Sequence, residues 1–509
     1  MKFFKSLFNR VFLVCFSIIL QTILLILGIY VFSDYFYVFQ VAQYVLAAII
    51  ILFVINKNDI PEFKLPWVTL ASLFPLIGVT LFICFAHTNV SKKQIKRYEE
   101  NFLSAAIASG KLEKEEEKIK ALAKDQYGDI RYIENSSRLP AYLAEDIRYF
   151  PTGEDFFPEF LKDLSSAKEF IFLEYFIIER GLMWDSILRI LEEKIKEGVE
   201  VRVLYDDFGC ASKIPSNYYK TLRKKGIKCY KFNPMYPLIS GVYNNRDHRK
   251  IAVIDGKVGY TGGLNFADEY INHVRRFGYW KDNAIRLEGA AVNNLTTMFL
   301  ITYSTVSKKE EDFAKYLVQR NGTPKSHGVV LPFGDGPRPL YDEYVGETIY
   351  LNIIHHAKKY VYITTPYLIC DYQLLNALCI AAKRGVDVRI ATPHIPDKKI
   401  IFAMTRSNYH TLIQAGVKIY EFQPGFMHAK TFLSDDTTAV VGTINLDYRS
   451  LVHHFENGVY LYQTDCLEDI KKDFEDIFAK SIIQNKKTVK LNPIVRIMIS
   501  VINIFQAMF

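Results

Sequence analysis

Two stretches of this chain share an unusual spacing of polar residues, and the sequence around them is repeated as well. The first is "HRKIAVIDGKVGYTGGLN" at 248–265, and the second is "HAKTFLSDDTTAVVGTIN" at 428–445. Each follows shorter segments that also match between the halves, in the same order along the chain. Repeated sequence predicts repeated structure, so we expect two similar domains.

The matched segments have the composition of strands that alternate with helices. They are "AKEFIFLEYFI", "KEGVEVRVLYDD" and "LRKKGIKCYKFNP" in the first half, and "AKKYVYITTPYLI", "KRGVDVRIATPH" and "LIQAGVKIYEFQP" in the second. Short apolar strands separated by helices and glycine turns indicate an α/β layered fold in each half. Packing about a pseudo-two-fold axis would bring the two motifs into one site. Two independent tandem domains are the alternative.

The first motif places several polar groups where they can act together. His248 and Lys250 are two residues apart, so on a strand they point to the same face. Asn265 follows a pair of glycines, which let the backbone come close to a bound group. The second motif repeats the pattern at the same separations with His428, Lys430, Asp435 and Asn445. A single copy would be interpreted as an ordinary surface strand, but two matched copies indicate a site.

Two imidazoles, two ammonium groups and two amides suit chemistry on a phosphodiester. The lysines and asparagines can hold the non-bridging oxygens and stabilise the charge that develops at phosphorus. One histidine can attack phosphorus while the other protonates the leaving alkoxide, a division of roles that needs no metal. Attack in two steps also allows transfer to an alcohol instead of water.

The duplicated motif resembles that of the phospholipase D superfamily, and the resemblance covers about 141–481. It implies an α/β fold with a two-fold internal repeat of phospholipase D-like α/β/α domains packed around a shared active site, preceded by transmembrane helices. The catalytic set that it implies is His248, Lys250, Asp255, His428, Lys430 and Asp435. By the same resemblance, His248 is the nucleophile and His428 the general acid and base. Asp255 and Asp435 follow apolar strands into turns, so we expect mostly structural roles for them.

Two further acids occupy matched positions after the motifs. Asp282 in "WKDNAIRLEG" aligns with Glu456 in "HFENGVYLYQ", each just before a strand. In the superfamily that the chain resembles, an acid here hydrogen-bonds an active-site histidine and fixes its tautomer. Two acids that merely cap loops are the alternative. The resemblance also implies that Arg449 in "NLDYRSL" supports the site or a lipid phosphate, and a surface salt bridge is the competing account.

The N-terminal end contains three apolar stretches without charged residues, at 11–32, 35–55 and 67–86. Each is near the length that crosses a bilayer, although the first could also be a signal peptide. Basic residues before the first stretch and after the third favour a hairpin with the N-terminus inside. Pro75 and Gly78 interrupt the third stretch, which we interpret as re-entrant. We therefore expect a multi-pass protein of the cell membrane with a cytoplasmic catalytic part.

The domain organisation that follows has five parts. They are a membrane anchor at 1–90, a charged and solvated helical linker at 91–140, repeats at 141–325 and 326–485, and a basic, amphipathic segment at 486–509. The last segment either lies in the membrane interface or packs on the soluble core. Seven cysteines without a CxxC spacing predict neither a structural zinc site nor a disulfide framework.

The apolar N-terminal segments and "INKNDIPEFKLPWVTLASLFPLIG" further resemble bacterial cardiolipin synthases. This resemblance implies transfer of a phosphatidyl group between two phosphatidylglycerol molecules at an anionic bilayer, without a cofactor. Phosphatidylserine synthase, hydrolytic phospholipase D, a membrane-tethered nuclease and a non-catalytic lipid-binding scaffold are the alternatives. The near balance of 63 basic and 55 acidic residues argues against a nucleic-acid partner. The intact motifs argue against a scaffold, and the oligomeric state is left open.

Overall fold

The chain divides into two compact units. The computed structural model describes residues 35–86, 90–110, 115–234, 244–319, 327–489 and 492–508, together with Ile19, Thr22, Ile23, Ile26 and Leu27. One unit combines 1–90, 235–245 and 493–509, and the other combines 91–234 and 246–492. The predicted first crossing at 11–32 lies almost wholly outside the described residues.

The first unit contains one long apolar helix, α1 (Phe36–Asn56). Its span Tyr37–Asn56 has a mean hydropathy of 2.5 and is mostly exposed. Within the described residues it is the one helix long and apolar enough to cross a membrane. The second predicted crossing therefore coincides with a helix long enough to span a bilayer. The described residues do not show that the chain crosses the membrane more than once.

The third apolar stretch forms two short helices, α2 (Pro61–Leu73) and α3 (Pro75–Phe85). The break falls at Phe74, because Pro75 lacks an N–H and disfavours helical geometry in the residue before it. The two helices approach closely at Gly78, where an added Cβ would lie 2.5 Å from the backbone nitrogen of Ala71. With 13 and 11 residues, each helix is shorter than the hydrocarbon core of a bilayer, which is about 30 Å thick.

The charged stretch at 91–140 forms three helices, α4 (Lys92–Ser109), α5 (Glu116–Leu122) and α6 (Tyr127–Ser137). The expectation of a solvated linker is wrong, because these helices belong to the second unit, which also contains both motifs. Tyr98 stacks on Phe455 with ring centroids 5.6 Å apart, and the Asn101 side chain donates a hydrogen bond to Thr305 Oγ1. The many Glu and Lys residues occupy the outer faces and conceal an apolar face that packs on the core.

Strands and helices alternate through the rest of this unit. The first half contains β1 (Tyr142–Leu143), β2 (Asp146–Phe150), α7 (Gly153–Ser166), β3 (Phe170–Tyr175), α8 (Leu182–Lys196), β4 (Glu200–Asp206), α9 (Tyr218–Lys224), β5 (Lys228–Phe232), β6 (Lys250–Ile254), β7 (Val258–Gly262), β8 (Tyr279–Lys281), β9 (Ala284–Glu288) and α10 (Val292–Ser307). The second half contains β10 (Val329–Asp335), α11 (Val345–His356), β11 (Tyr360–Thr364), β12 (Leu368–Ile369), α12 (Tyr372–Lys383), β13 (Asp387–Pro393), α13 (Lys399–Ala415), β14 (Lys418–Phe422), β15 (Gly425–Met427), β16 (Thr431–Ser434), β17 (Thr438–Gly442), β18 (Leu446–Asp447), β19 (Glu456–Tyr462), α14 (Leu467–Ala479) and β20 (Ser481–Ile483).

Each half builds a sheet, and seven strands have the same order in both. The first sheet is β2-β9-β7-β6-β3-β4-β5, and the second is β1-β10-β19-β17-β16-β11-β13-β14-β20, with β1 from the first half and β20 as additional edge strands. The matched strands β3, β4, β5 and β11, β13, β14 run parallel, and the motif strands β6 and β16 pair antiparallel to the first of each set. The central strands are buried along their whole length, which explains their continuous apolar runs.

The halves are joined by backbone pairing beside the motifs. Strand β8 of the first half pairs in parallel with β15 of the second, from Gly425 opposite Tyr279 to Met427 opposite Lys281. A further bridge joins Asp247 to Phe455. Independent tandem domains would share no such pairing, so that alternative is wrong.

Candidate functional site

The backbone brings each motif histidine beside the other half of the chain. The amide of His248 donates to the carbonyl of Phe455 over 2.9 Å, and the amide of His428 donates to the carbonyl of Lys281 over 2.7 Å. The accepting residues immediately precede Glu456 and Asp282. The same crossing contact on both sides therefore fixes which acid lies next to which imidazole.

Each imidazole is hydrogen-bonded to a buried carboxylate from the opposite half. His248 Nδ1 lies 2.9 Å from Oε1 and 3.0 Å from Oε2 of Glu456. His428 Nδ1 lies 2.6 Å from Asp282 Oδ2. Both carboxylates are completely buried. A carboxylate that accepts from Nδ1–H leaves the lone pair on Nε2, which is the tautomer that a nucleophile or base requires.

The small residues of the motifs make room for these acids in different ways. An added Cβ on Gly263 would lie 1.9 Å from Asp282 Oδ1, so no side chain fits there. The matched Thr443 instead donates its hydroxyl hydrogen bond to Glu456. The pair "GG" in one copy and "GT" in the other therefore reflects the space around each carboxylate.

The motif lysines lie in the same buried region. Lys250 Nζ donates to the carbonyl of His248 over 2.6 Å. Lys430 Nζ donates to the carbonyl of His428 and lies 2.8 Å from its Nδ1. Each ammonium group has three N–H donors, so donors remain for a bound anion.

Burial controls the charge of the imidazoles. Desolvation lowers the pKa of His248 to about 3, against the opposing effect of Glu456. It lowers the pKa of His428 to about 4, with a further contribution from Lys430. Both rings are therefore neutral near pH 7, and the lone pair of each is available.

The lysines and acids have perturbed pKa values as well. Burial lowers the pKa of Lys250 to about 7 and that of Lys430 to about 8, although nearby carboxylates oppose the shift. Burial alone would raise the pKa of Glu456, but the adjacent His248 outweighs it and holds the pKa well below the ordinary value. The net shift of Asp282 is also downward, because Lys430 and His428 outweigh burial and lower its pKa. The acids thus remain ionised, and each lysine is influenced by the carboxylates of both halves.

The two candidate phosphate-binding amides are in different surroundings. Asn265 Oδ1 accepts from the amide of Ile177 over 3.0 Å, and its Nδ2 donates to the hydroxyl of Tyr270 over 2.7 Å. Asn445 Oδ1 is buried without a hydrogen-bond partner among the described residues. Asn265 is thus mainly a brace between loops, whereas the unpaired atom of Asn445 is an acceptor, so binding of a phosphate oxygen by Asn445 would use its Nδ2 donor.

The motif aspartates, which the resemblance groups with the catalytic residues, bind backbone amides at the far ends of the motif strands. Asp255 accepts hydrogen bonds from the amides of Lys168, Glu169 and Phe170 at 2.8, 2.8 and 2.9 Å. Asp435 does the same for the amides at 358–360. Strand β6 separates Asp255 from Lys250 by roughly 16 Å, since a strand rises about 3.3 Å per residue. The expected structural role agrees with this geometry.

Substituting Asp255 by Ala should destabilise the protein more than it impairs the site. Three amides would lose a charged acceptor, and alanine would have to adopt the left-handed backbone at φ 53°. We expect a loss of at least about 3 kcal/mol in the free energy of unfolding. Thermal unfolding measures this, with Asp255→Asn as the milder variant. Activity per folded molecule should stay within a few-fold of wild type, and a stable but inactive variant would contradict this role.

Arg449 lies in a short π-helical turn at Arg449–His453, after β18. Its Nε is buried and has no hydrogen-bond partner among the described residues. No ion pair or hydrogen bond joins it to either motif histidine within the described part of the chain. A surface salt bridge is therefore not its role here, and its support of the site stays a prediction.

Sequence reasoning missed a third imidazole, His454. Its ring centroid lies 5.5 Å from that of His248, and its Nδ1 lies 3.6 Å from Glu456 Oε1. The matched position in the first half is Trp280, whose ring centroid lies 5.3 Å from that of His428. The available signal was a histidine two residues before the matched acid, in "HHFE".

Acidification should destabilise the folded site. The folded pKa values of His248 and His428 are about 3 and 4, below the unfolded value of about 6.5. The unfolded chain therefore binds more protons between pH 4 and 6.5, and the stability present above pH 6.5 is lost as pH falls. Each histidine contributes up to about 1.4 kcal/mol per pH unit in this window. In unfolding measurements across this pH window, His248→Gln should lose less stability on acidification than wild type, and an acid loss equal to that of wild type would contradict this.

Comparison with known proteins shows which family the chain is related to. The family model described as "Cardiolipin synthase, PLD-like domain" matches residues 160–284 and 350–478, once in each half. Cardiolipin synthase 1 of Staphylococcus aureus is 33% identical over 462 residues, covering 88% of this chain and 91% of its own length. The chain belongs to the cardiolipin synthase family. Its α/β fold thus contains the phospholipase D-like domain of this family twice.

Further proteins are similar to this chain over most of its length. Cardiolipin synthase of Alkalihalophilus pseudofirmus is 34% identical and covers 84% of both chains. An uncharacterised protein of Streptococcus mutans is 46% identical and covers 86% of this chain and 95% of its own. The solved structure of phosphatidylserine synthase from Haemophilus influenzae has a TM-score of 0.56 and 15% identity, covering 74% of this chain and 99% of its own. This last similarity concerns the fold.

Proposed function

We propose that this protein is a cardiolipin synthase. It transfers the phosphatidyl group of one phosphatidylglycerol to a hydroxyl of a second, and releases glycerol. The observation that carries the proposal is the crossed pair of histidine–carboxylate hydrogen bonds, His248 with Glu456 and His428 with Asp282. Two oriented imidazoles beside two lysines match the needs of double displacement at phosphorus, and named relatives in this family are cardiolipin synthases.

In the first step, Nε2 of His248 attacks the phosphorus of phosphatidylglycerol. A P–N bond forms while the P–O bond to the glycerol headgroup breaks. The departing alkoxide takes a proton from His428, whose charged form is favoured once the anionic phosphodiester lies beside it. Lys250, Lys430 and Asn445 donate hydrogen bonds to the phosphoryl oxygens as negative charge develops.

In the second step, neutral His428 accepts the proton of a headgroup hydroxyl on another phosphatidylglycerol. The oxygen attacks phosphorus, the P–N bond breaks and His248 returns to its starting state. One diester is exchanged for another, so the chemistry needs no nucleotide. Exclusion of water from the buried site favours the lipid alcohol as acceptor over hydrolysis.

The proposal also covers how the protein is attached to the membrane. Helix α1 crosses the membrane, and the closely packed pair α2 and α3 is re-entrant. The expected first crossing at 11–32, which would complete a hairpin with α1, lies outside the described residues. The C-terminal helix Pro493–Asn503 lies in the interface, since Ile494, Ile497 and Met498 are more than half exposed. The protein is then multi-pass with a cytoplasmic catalytic part. Its parts are an anchor at 1–90, repeats at 141–325 and 326–485, and a basic end at 486–509, with the helices of 91–140 packed on the repeats.

Product analysis tests the activity. Purified full-length protein in phosphatidylglycerol vesicles with EDTA should release cardiolipin and glycerol in equal amounts. Phosphatidic acid in place of cardiolipin would indicate a hydrolase. Addition of serine should leave the products unchanged, whereas phosphatidylserine as the main product would indicate a serine transferase. Absence of any lipid turnover would overturn the proposal.

A further inference from the structure

A third group of ligand-type side chains surrounds the Glu456 carboxylate. His248, His454 and Glu456 each offer a ligand atom, and these atoms all lie within 4.8 Å of one another. His454 Nδ1 is buried and has no hydrogen-bond partner among the described residues. Two imidazoles and one carboxylate form a zinc ligand set that leaves one coordination position open. We propose that these three residues bind a zinc ion, and that zinc bound there inhibits the enzyme.

The observed separations suit such an ion. Tetrahedral zinc with ligands at about 2.0–2.1 Å holds its ligand atoms roughly 3.3 Å apart. The His248 Nδ1 to Glu456 Oε1 distance is 2.9 Å, and the His454 Nδ1 to Oε1 distance is 3.6 Å. Both lie close to the required value, and since all three ligand atoms lie within 4.8 Å of one another, side-chain movement can bring the third pair to it. Calcium and magnesium prefer oxygen ligands and six or more of them, which this set does not supply.

Inhibition follows from the tautomer of His248. In the metal-free state, Nδ1–H donates to Glu456, and Nε2 carries the lone pair. A Zn–Nδ1 bond uses the lone pair on Nδ1, so the single ring proton must move to Nε2. No net proton is gained or lost. Protonated Nε2 of a neutral ring has no lone pair with which to attack phosphorus, and the nucleophile is lost.

Within the part of the chain that the structure describes, these residues form the one such group of three ligands. The position that matches His454 is Trp280 in the first half, and an indole N–H offers no lone pair to a metal. His428 and Asp282 therefore lack the third ligand. The stoichiometry of tight binding should be one zinc per chain.

Zinc binding tests the site independently of turnover. Full-length protein in detergent is freed of metal with a chelator and titrated against a chromophoric zinc indicator. Wild type should bind one equivalent, and His454→Asn should bind at least about tenfold more weakly. The matched control is His394→Asn, which removes an exposed imidazole from another histidine–carboxylate pair, that with Glu421, and should bind as wild type does. Unfolding midpoints and a second variant, His454→Gln, separate lost ligation from lost folding.

The inhibition rests on the proposed function, whereas the binding does not. Buffered free zinc should inhibit cardiolipin formation by wild type, EDTA should restore it, and the half-inhibiting concentration should rise in His454→Asn by the factor seen in binding. Equal zinc affinity of wild type and both His454 variants would overturn the site. Tight binding at the site without inhibition of an active enzyme would overturn the tautomer argument. A protein with no transferase activity would still report on the site through the indicator.

Discussion

Replacing His248 by Gln should reduce phosphatidyl transfer from phosphatidylglycerol by at least about 10⁴-fold, because glutamine cannot form the P–N bond. His428→Gln should lose a comparable factor with the same substrate, since no other group protonates the alkoxide. Steady-state release of glycerol measures both losses. The control is His394→Gln, in which an exposed imidazole that pairs with Glu421 over 3.0 Å is removed. Its rate should remain near that of wild type.

The roles of the two histidines can be distinguished by changing the leaving group of the substrate. A phosphatidyl ester of para-nitrophenol needs no proton donor in the first step, because nitrophenolate is a stable anion. His428→Gln should therefore give a burst of nitrophenolate close to one equivalent, while His248→Gln gives none. The reverse pattern would assign the attack to His428. Bursts from both variants would show that neither imidazole is an obligatory nucleophile.

Glu456→Gln should lower kcat by about 10²–10⁴-fold with little change in KM. The Glu456 carboxylate accepts from His248 Nδ1 and is completely buried, so the substitution removes its charge within the same space. The amide can also turn its NH₂ group toward Nδ1, which moves the ring proton to Nε2 and removes the nucleophilic lone pair. Rates at several lipid concentrations separate the kcat effect from the KM effect.

Asp282→Asn is the matched variant on the other side. The Asp282 carboxylate is hydrogen-bonded to His428. Its loss should therefore impair transfer from phosphatidylglycerol but spare the nitrophenolate burst. Glu456→Gln should suppress both the transfer from phosphatidylglycerol and the nitrophenolate burst. An unchanged kcat in Glu456→Gln would contradict the orientation of His248 by this carboxylate. A burst lost equally in the two variants would contradict the division of roles.

Much of the architecture could be predicted because it is encoded locally. The strands and glycine turns recur in matched order, and the two sheets share their strand order. The motif aspartates were expected to be structural because each ends an apolar strand, and Asp255 indeed binds three amides. The charged helices α4–α6 were misjudged. Helix α4 packs against α10 and places Tyr98 on Phe455, just before β19, and composition does not reveal such contacts.

The crossed arrangement of the site could not be predicted from either half alone. Matching Asp282 with Glu456 along the sequence does not say which imidazole each one meets. That assignment depends on the pairing of β8 with β15 and on the bridge from Asp247 to Phe455. His454 was missed for the same reason, since its place beside His248 exists only after the halves come together.

The most direct test of the covalent mechanism is to identify the phosphatidylated residue. Wild-type protein would be mixed with labelled phosphatidylglycerol, quenched rapidly in denaturant and analysed by peptide mass spectrometry. A second sample would contain His428→Gln and the nitrophenyl ester, because the covalent intermediate should accumulate in this variant. We predict a phosphoryl adduct on the peptide that contains His248, absent from His248→Gln. An adduct on His428, or full cardiolipin formation without any adduct in either sample, would contradict the mechanism.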